Sequence, residues 1–225
     1  MSIENDRPRM VAALPSPLQP LKKYKTIDIM LDLETIGLCD NVVITQLAAV
    51  AFSMDDGMDF GYEIDGAFDE PIGIKHSVQK GLKIEGSSME WWFKQPDKVY
   101  EDVFVKAMNS ENKLEDILNK FNDWIKRLKE SRGLDSKSNI NVWGNGALAD
   151  NKWIRQAYKV CNMEPPWAFY EDRDVRTIAE LGRRLFNYEY RTVPFEGTVH
   201  NAVDDCKHQI KYCCEIYAKL KNQKA

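Results

Sequence analysis

Four carboxylates and one histidine, carried by three short segments, are the residues of this chain best suited to chemistry. They are Asp32 and Glu34 in IMLDLETIG, Asp150 in VWGNGALADNKWI, and His200 with Asp205 in VHNAVDDC. A buried carboxylate is costly unless it is paired or coordinates a metal, so acids set within apolar runs call for a partner. Several such acids converging imply a site for divalent cations.

Taken singly, each motif has a plainer use. Asp32 and Glu34 are two apart and share one face of a strand, but Asp28 points to that face as well, and only the apolar neighbours favour Asp32. A DxE pair on a strand also suits a solvated edge or a turn. Asp150 stands near a helix start, where a carboxylate offsets the helix dipole by roughly 0.3–1 kcal/mol. Asn201 and Asp204 have the N-cap and N3 spacing of a capping box, with Asp in place of the usual Glu. Asp205 falls one residue later, beside the Ala202, Cys206 and Ile210 face, and has no comparable structural task. His200, just ahead of that helix, also reads as an ordinary loop histidine.

The elements that must position these groups follow from pattern. Residues 1–24 hold Pro8, Pro15, Pro17 and Pro20 without apolar periodicity and read as a tail or linker, leaving 25–225 as the folded domain. TIDIMLDLET, VVITQLAAVAF and MDFGYEIDG read as three consecutive strands whose short connections make them antiparallel neighbours. SSMEWWFKQPDKVYEDVFVKAM reads as two short helices split at Pro96, with Ser87 or Ser88 capping the first and Asp97 the second. LEDILNKFNDWIKRLKE places Leu114, Ile117, Leu118, Phe121, Trp124, Ile125 and Leu128 on one buried helical face. The strand INVW and the helix carrying Asp150 then suggest a crossover to a parallel strand. Two helices, RDVRTIAELGRRLF and NAVDDCKHQIKYCCEIYAKL, complete an α/β domain with a mixed sheet flanked by helices.

Composition narrows the classes. With 225 residues and 44% apolar content the chain can bury a full core, and no apolar run is long enough for a membrane span. The N-terminus lacks the features of a secretion signal, which points to the cytoplasm. Five cysteines without CxxC spacing argue against a disulfide framework or a zinc site. A net charge of −4 gives no general pull on nucleic acid, so any such binding depends on a local groove and on cations.

The joint occurrence of DLET, an acid at a helix start after a strand, and HxxxxD resembles the three motifs of the DEDDh 3′-5′ exonucleases, the DnaQ-like branch of the RNase H-like fold. That resemblance implies a sheet of about five strands. It also implies Asp32, Glu34, Asp150 and Asp205 as ligands of two Mg²⁺ or Mn²⁺ ions, and His200 as general base. Asn201 stands where the tyrosine variant of the superfamily would carry Tyr. A narrower resemblance over most of residues 26–220, from SSMEWWFKQ and RDVRT, is to the phage exonuclease A group and the exoribonuclease RNase AS group. One departure is Ala149, at a position where an aromatic often precedes the aspartate.

The implied activity is release of nucleoside 5′-monophosphates from single-stranded 3′ ends, with DNA slightly favoured over RNA. Thr35 and Ile36 resemble residues lining the terminal nucleotide. Trp91 and Trp92 are adjacent on a helix and cannot face the same way, so one suits the core and the other a base. Arg176 suits a phosphate or an ion pair with Asp172 or Glu180. A homodimer is compatible with the resemblance, and the aromatics near Tyr188 and Tyr190 offer it a surface. A 3′-5′ exoribonuclease with the same mechanism is the near-equal alternative; a nucleic-acid-binding module without catalysis is a lesser one, and the intact set of acids with His200 weighs against it.

Overall fold

The computed structural model describes residues 26–55, 66–134 and 139–223. The tail and nearly all of the strand expected over MDFGYEIDG lie outside them. Five strands form one mixed sheet in the order β3-β2-β1-β4-β5: β1 Thr26–Thr35, β2 Ile44–Phe52, β3 Phe68–Pro71, β4 Asn139–Gly144 and β5 Asp172–Asp174. β1 pairs antiparallel with β2 and β2 with β3, whereas β1–β4 and β4–β5 are parallel. The mixed sheet and the crossover to a parallel strand match the fold expected from the sequence.

Alternation along β1 divides the core in two. Ile27, Ile29, Leu31 and Leu33 face the larger apolar cluster, which the helix α5 (Leu114–Ser131) and α6 (Lys152–Val160) complete. All seven apolar residues of the α5 stripe are buried, as their spacing requires. Met30, on the opposite face, joins Val50, Phe52 and Trp143 against α7 (Val175–Phe186) and α8 (Ala202–Asn222). Asp28, Asp32 and Glu34 share that second face by the same period-two rule.

Preceding α5 are α1 (Ile74–Gln79), α2 (Gly86–Trp92) and a helical stretch of α3 (Asp97–Val99), a π-helical turn Tyr100–Val105 and α4 (Lys106–Asn109). The break expected at Pro96 is present. The caps are not those expected: Glu85 and Pro96 occupy the N-cap positions, neither with a side-chain bond to its helix, and Ser87 and Ser88 lie inside the first turn of α2.

Tyr188 and Tyr190 lean on α8. Both are half-buried: the Tyr188 hydroxyl donates to Glu215 at 2.6 Å and Tyr190 packs on Tyr212 with ring centroids 5.1 Å apart. Both thus pack on α8 while keeping part of their surface in solvent.

Candidate active site

The site lies where β1 outruns its parallel neighbour. β4 ends at Gly144, level with Leu31, so residues 32–35 project beyond it at the carboxyl ends of the parallel strands. In open α/β sheets this end is where ligands bind. The chain leaving β4 turns through Gly146, whose φ of +121° few other residues tolerate, into a π-helical turn over Ala147–Asn151 that leads into α6. Asn151 anchors the turn through its amide to the Val142 carbonyl at 2.9 Å. Asp150, 6% exposed, thereby comes beside β1, and its carboxylate accepts the Leu33 N–H at 3.3 Å.

Asp150 is therefore not the cap of its own helix. Asp174, at the end of β5, accepts the Ala147 N–H at 2.6 Å and the Thr177 N–H at 2.8 Å, capping the starts of both the π-helical turn and α7. On the third segment Asn201 caps α8 by accepting the Asp204 N–H at 3.2 Å. The reciprocal half of the capping box is replaced: the Asp204 carboxylate accepts the Thr198 N–H at 3.0 Å. His200 adopts a left-handed φ of +64°, its backbone N–H donates to the Asp205 carboxylate, and its ring meets Trp91 edge to face at 5.2 Å.

These turns bring the three motifs together. Ligand atoms of Glu34, His200 and Asp205 all lie within 4.8 Å of one another. Burial first, and then the Asp150 charge, pushes the Asp32 carboxyl up to about 7, while a bond from Gln209 opposes the shift. Glu34 is raised well above the usual carboxylate range by burial and by Asp32, Asp205 and Asp150. Asp205 rises to about 7 through burial and Asp32. Asp150 rises to about 6 through burial, restrained by backbone N–H groups and by Arg176. Four acids raised by burial, three of them also by neighbouring carboxylates, form a set whose ionised state needs added positive charge, and hard oxygen donors suit Mg²⁺ or Mn²⁺. The residues present fit a divalent cation.

Asp28 is separated from this set by its partners. Its carboxylate accepts the Trp143 indole N–H at 2.8 Å, the Asn141 amide at 3.0 Å and the Met54 N–H at 3.4 Å, all at a 7% exposed position. Asp28→Ala would orphan these donors and is expected to cost about 2–4 kcal/mol in urea unfolding. The rise in Tm that a divalent ion produces should be retained; loss of that rise with full stability would contradict this assignment.

The remaining sequence candidates separate by exposure. Trp92 is buried and its indole N–H donates to the Thr35 carbonyl at 2.9 Å, whereas Trp91 is 43% exposed against His200. Thr35 is half-buried and its hydroxyl donates to the Gly37 carbonyl at 2.9 Å. The Ile36 side chain is enclosed in the core, so its apolar surface faces protein. Arg176 is exposed and lies over Gly146, close enough to lower Asp150 and Asp174. The acids proposed to pair with it are engaged elsewhere, Asp172 by Arg155 at 2.7 Å and Glu180 by Arg183 and Arg184. Sequence reasoning missed Asp174 and Gln209. A polar residue on the otherwise apolar face of α8, four after Asp205, was the available signal for Gln209.

A family profile described as a 3′-5′ exoribonuclease Rv2179c-like domain matches residues 27–217. Among solved structures, the fold is similar to the nuclease domain of 3′hExo, a DEDDh family member, bound to rAMP (TM-score 0.52, 13% identity, covering 90% of this chain and 95% of that one). It is also similar to cell-death related nuclease 4 (0.54, 15%, 88% and 64%) and to S. pombe Pop2p in its Mg²⁺- and Mn²⁺-bound form (0.50, 12%, 89% and 84%). No curated protein sequence matches the chain. A five-stranded mixed sheet with converging acids at the carboxyl end of β1 is the fold this chain shares with these nucleases. The chain belongs to the 3′-5′ exoribonuclease Rv2179c-like domain family and is a 3′-5′ exonuclease.

Proposed function

We propose that this chain is a metal-dependent 3′-5′ exoribonuclease that removes nucleoside 5′-monophosphates from single-stranded RNA 3′ ends. The convergence of Asp32, Glu34, Asp150, Asp205 and His200 carries the reading. The family description favours RNA over the DNA to which the sequence alone leans. We take residues 25–225 as the catalytic domain and place the protein in the cytoplasm, consistent with five free cysteines.

Asp32, Glu34, Asp150 and Asp205 would hold two divalent ions. When bound, such a pair neutralises the scissile phosphate and lowers the pKa of the attacking water. The chain's own residues do the rest. Burial holds the His200 imidazole below its ordinary pKa of about 6.5, so at neutral pH it is unprotonated and can accept the water proton. The P–O3′ bond breaks as the new P–O bond from water forms, and the departing O3′ takes a proton from solvent, leaving a nucleoside 5′-monophosphate and a shortened strand that ends in a 3′-hydroxyl.

Trp91 offers an exposed aromatic face for a base, a contact worth about 1–3 kcal/mol, and its edge contact orders the His200 ring. Trp92 acts indirectly, through the Thr35 carbonyl. Arg176 is placed to pair with a backbone phosphate.

The test is a time course on 5′-labelled RNA and DNA of one sequence, with Mg²⁺ or Mn²⁺. RNA shortening stepwise from its 3′ end, faster than DNA, is the expected outcome. Faster loss of DNA would overturn the choice of RNA, and binding of both without cleavage would promote a non-catalytic module.

A further inference from the structure

Gln209 sits on α8 one turn beyond Asp205, 5% exposed, on a helix face otherwise made of Ala202, Cys206, Ile210 and Cys213. Its Nε2 donates to Asp32 Oδ1 at 3.0 Å. Its Oε1 is buried, and among the described residues no protein group donates to it. A buried amide with one unmatched oxygen is costly, and an apolar side chain of the same volume would avoid the cost. Turning the amide over would set two acceptors against each other, so the Asp32 carboxylate dictates its orientation.

We propose that Gln209 is a positioning residue of the metal site. Its donor fixes the rotation of the Asp32 carboxylate about the Cβ–Cγ bond, so that the oxygens are ordered before an ion arrives. The inference rests on Asp32 being a metal ligand. Partners of this kind, one bond removed from the ion, commonly change metal affinity 10–100-fold when lost.

The experiment compares the full chain with Gln209→Met and Gln209→Leu, two apolar replacements of similar volume, by urea unfolding without metal and by calorimetric titration with Mn²⁺. Both variants should still unfold cooperatively, since the cost of the orphaned oxygen is removed while Asp32 loses one donor, yet bind Mn²⁺ at least about tenfold more weakly. Affinity within twofold of the parent, combined with lowered unfolding midpoints, would make Gln209 a packing residue and overturn the proposal. A parent that binds no Mn²⁺ would sink the metal-site reading and this inference with it. Parent-like binding by a folded variant sinks the inference alone.

Discussion

Asp32→Asn is expected to abolish exonuclease activity while making the metal-free protein more stable at pH 8. Loss of one ligand to the cations removes several kcal/mol of transition-state stabilisation, which corresponds to a fall on the order of 10³-fold or more in kcat. The stability effect has the opposite sign. In the folded, metal-free protein the Asp32 carboxyl is raised to about 7 by burial and the Asp150 charge, from an ordinary value of about 3.8. A group raised in this way contributes stability fully below its unfolded pKa and loses it as pH rises through the folded value. At pH 8 the parent must hold Asp32 ionised among three other acids, and Asn removes that repulsion without changing the side chain's size.

The gain should be on the order of 2 kcal/mol, or about 4–8 °C in Tm for a chain of this length. At pH 5, where the folded parent's carboxyl is mostly protonated but the unfolded chain's is still ionised, the gap should narrow to about half or less. Thermal unfolding in EDTA at the two pH values, beside nucleotide release at saturating Mn²⁺, measures both halves. An inactive variant that is also less stable at pH 8 would mean that the acids are not in the mutual repulsion described.

His200→Asn should lower kcat by about 10²–10⁴-fold with little change in metal affinity. Asn is the informative replacement because the position has φ +64°, and Asn tolerates left-handed backbone better than most residues. Folding is thus preserved while the proton acceptor is lost. Burial keeps the His200 pKa low, so at saturating metal the parent's activity should fall only as pH drops below about 6.5. The variant should lack that acid limb. Saturation matters because the raised carboxylates must release protons to bind the ions, which makes metal affinity itself fall with falling pH. A variant with the parent's acid limb would place the general base elsewhere.

The parts of this site readable in the sequence were those expressed over short distances. Asp32 and Glu34 share a face through period two, and His200 with Asp205 brackets a helix start marked by Asn201. The stripe of α5 was legible for the same reason. What distinguishes Asp28 from Asp32 was not, because spacing treats them alike and the deciding donors, Asn141 and Trp143, come from β4 more than a hundred residues later. β5 was hidden because Asp172–Asp174 has no apolar residue, and it becomes a strand only through pairing with Val142–Gly144. Pattern alone read RDVRT as the start of a helix, which begins at Val175; that Asp174 also ends a strand and caps a second helical start was not legible. Asp150 looked like a capping acid until the fold supplied Asp174 for that task and turned Asp150 toward Leu33.

The most direct measurement is the product released from uniformly labelled single-stranded RNA by the purified chain with Mn²⁺, with an EDTA control and Asp32→Asn alongside. Nucleoside 5′-monophosphates from the earliest time point, abolished by EDTA and by the substitution, are the predicted result. Internal oligonucleotide fragments, or mononucleotide release that persists in EDTA, would contradict a metal-dependent 3′-5′ exonuclease built on these five residues.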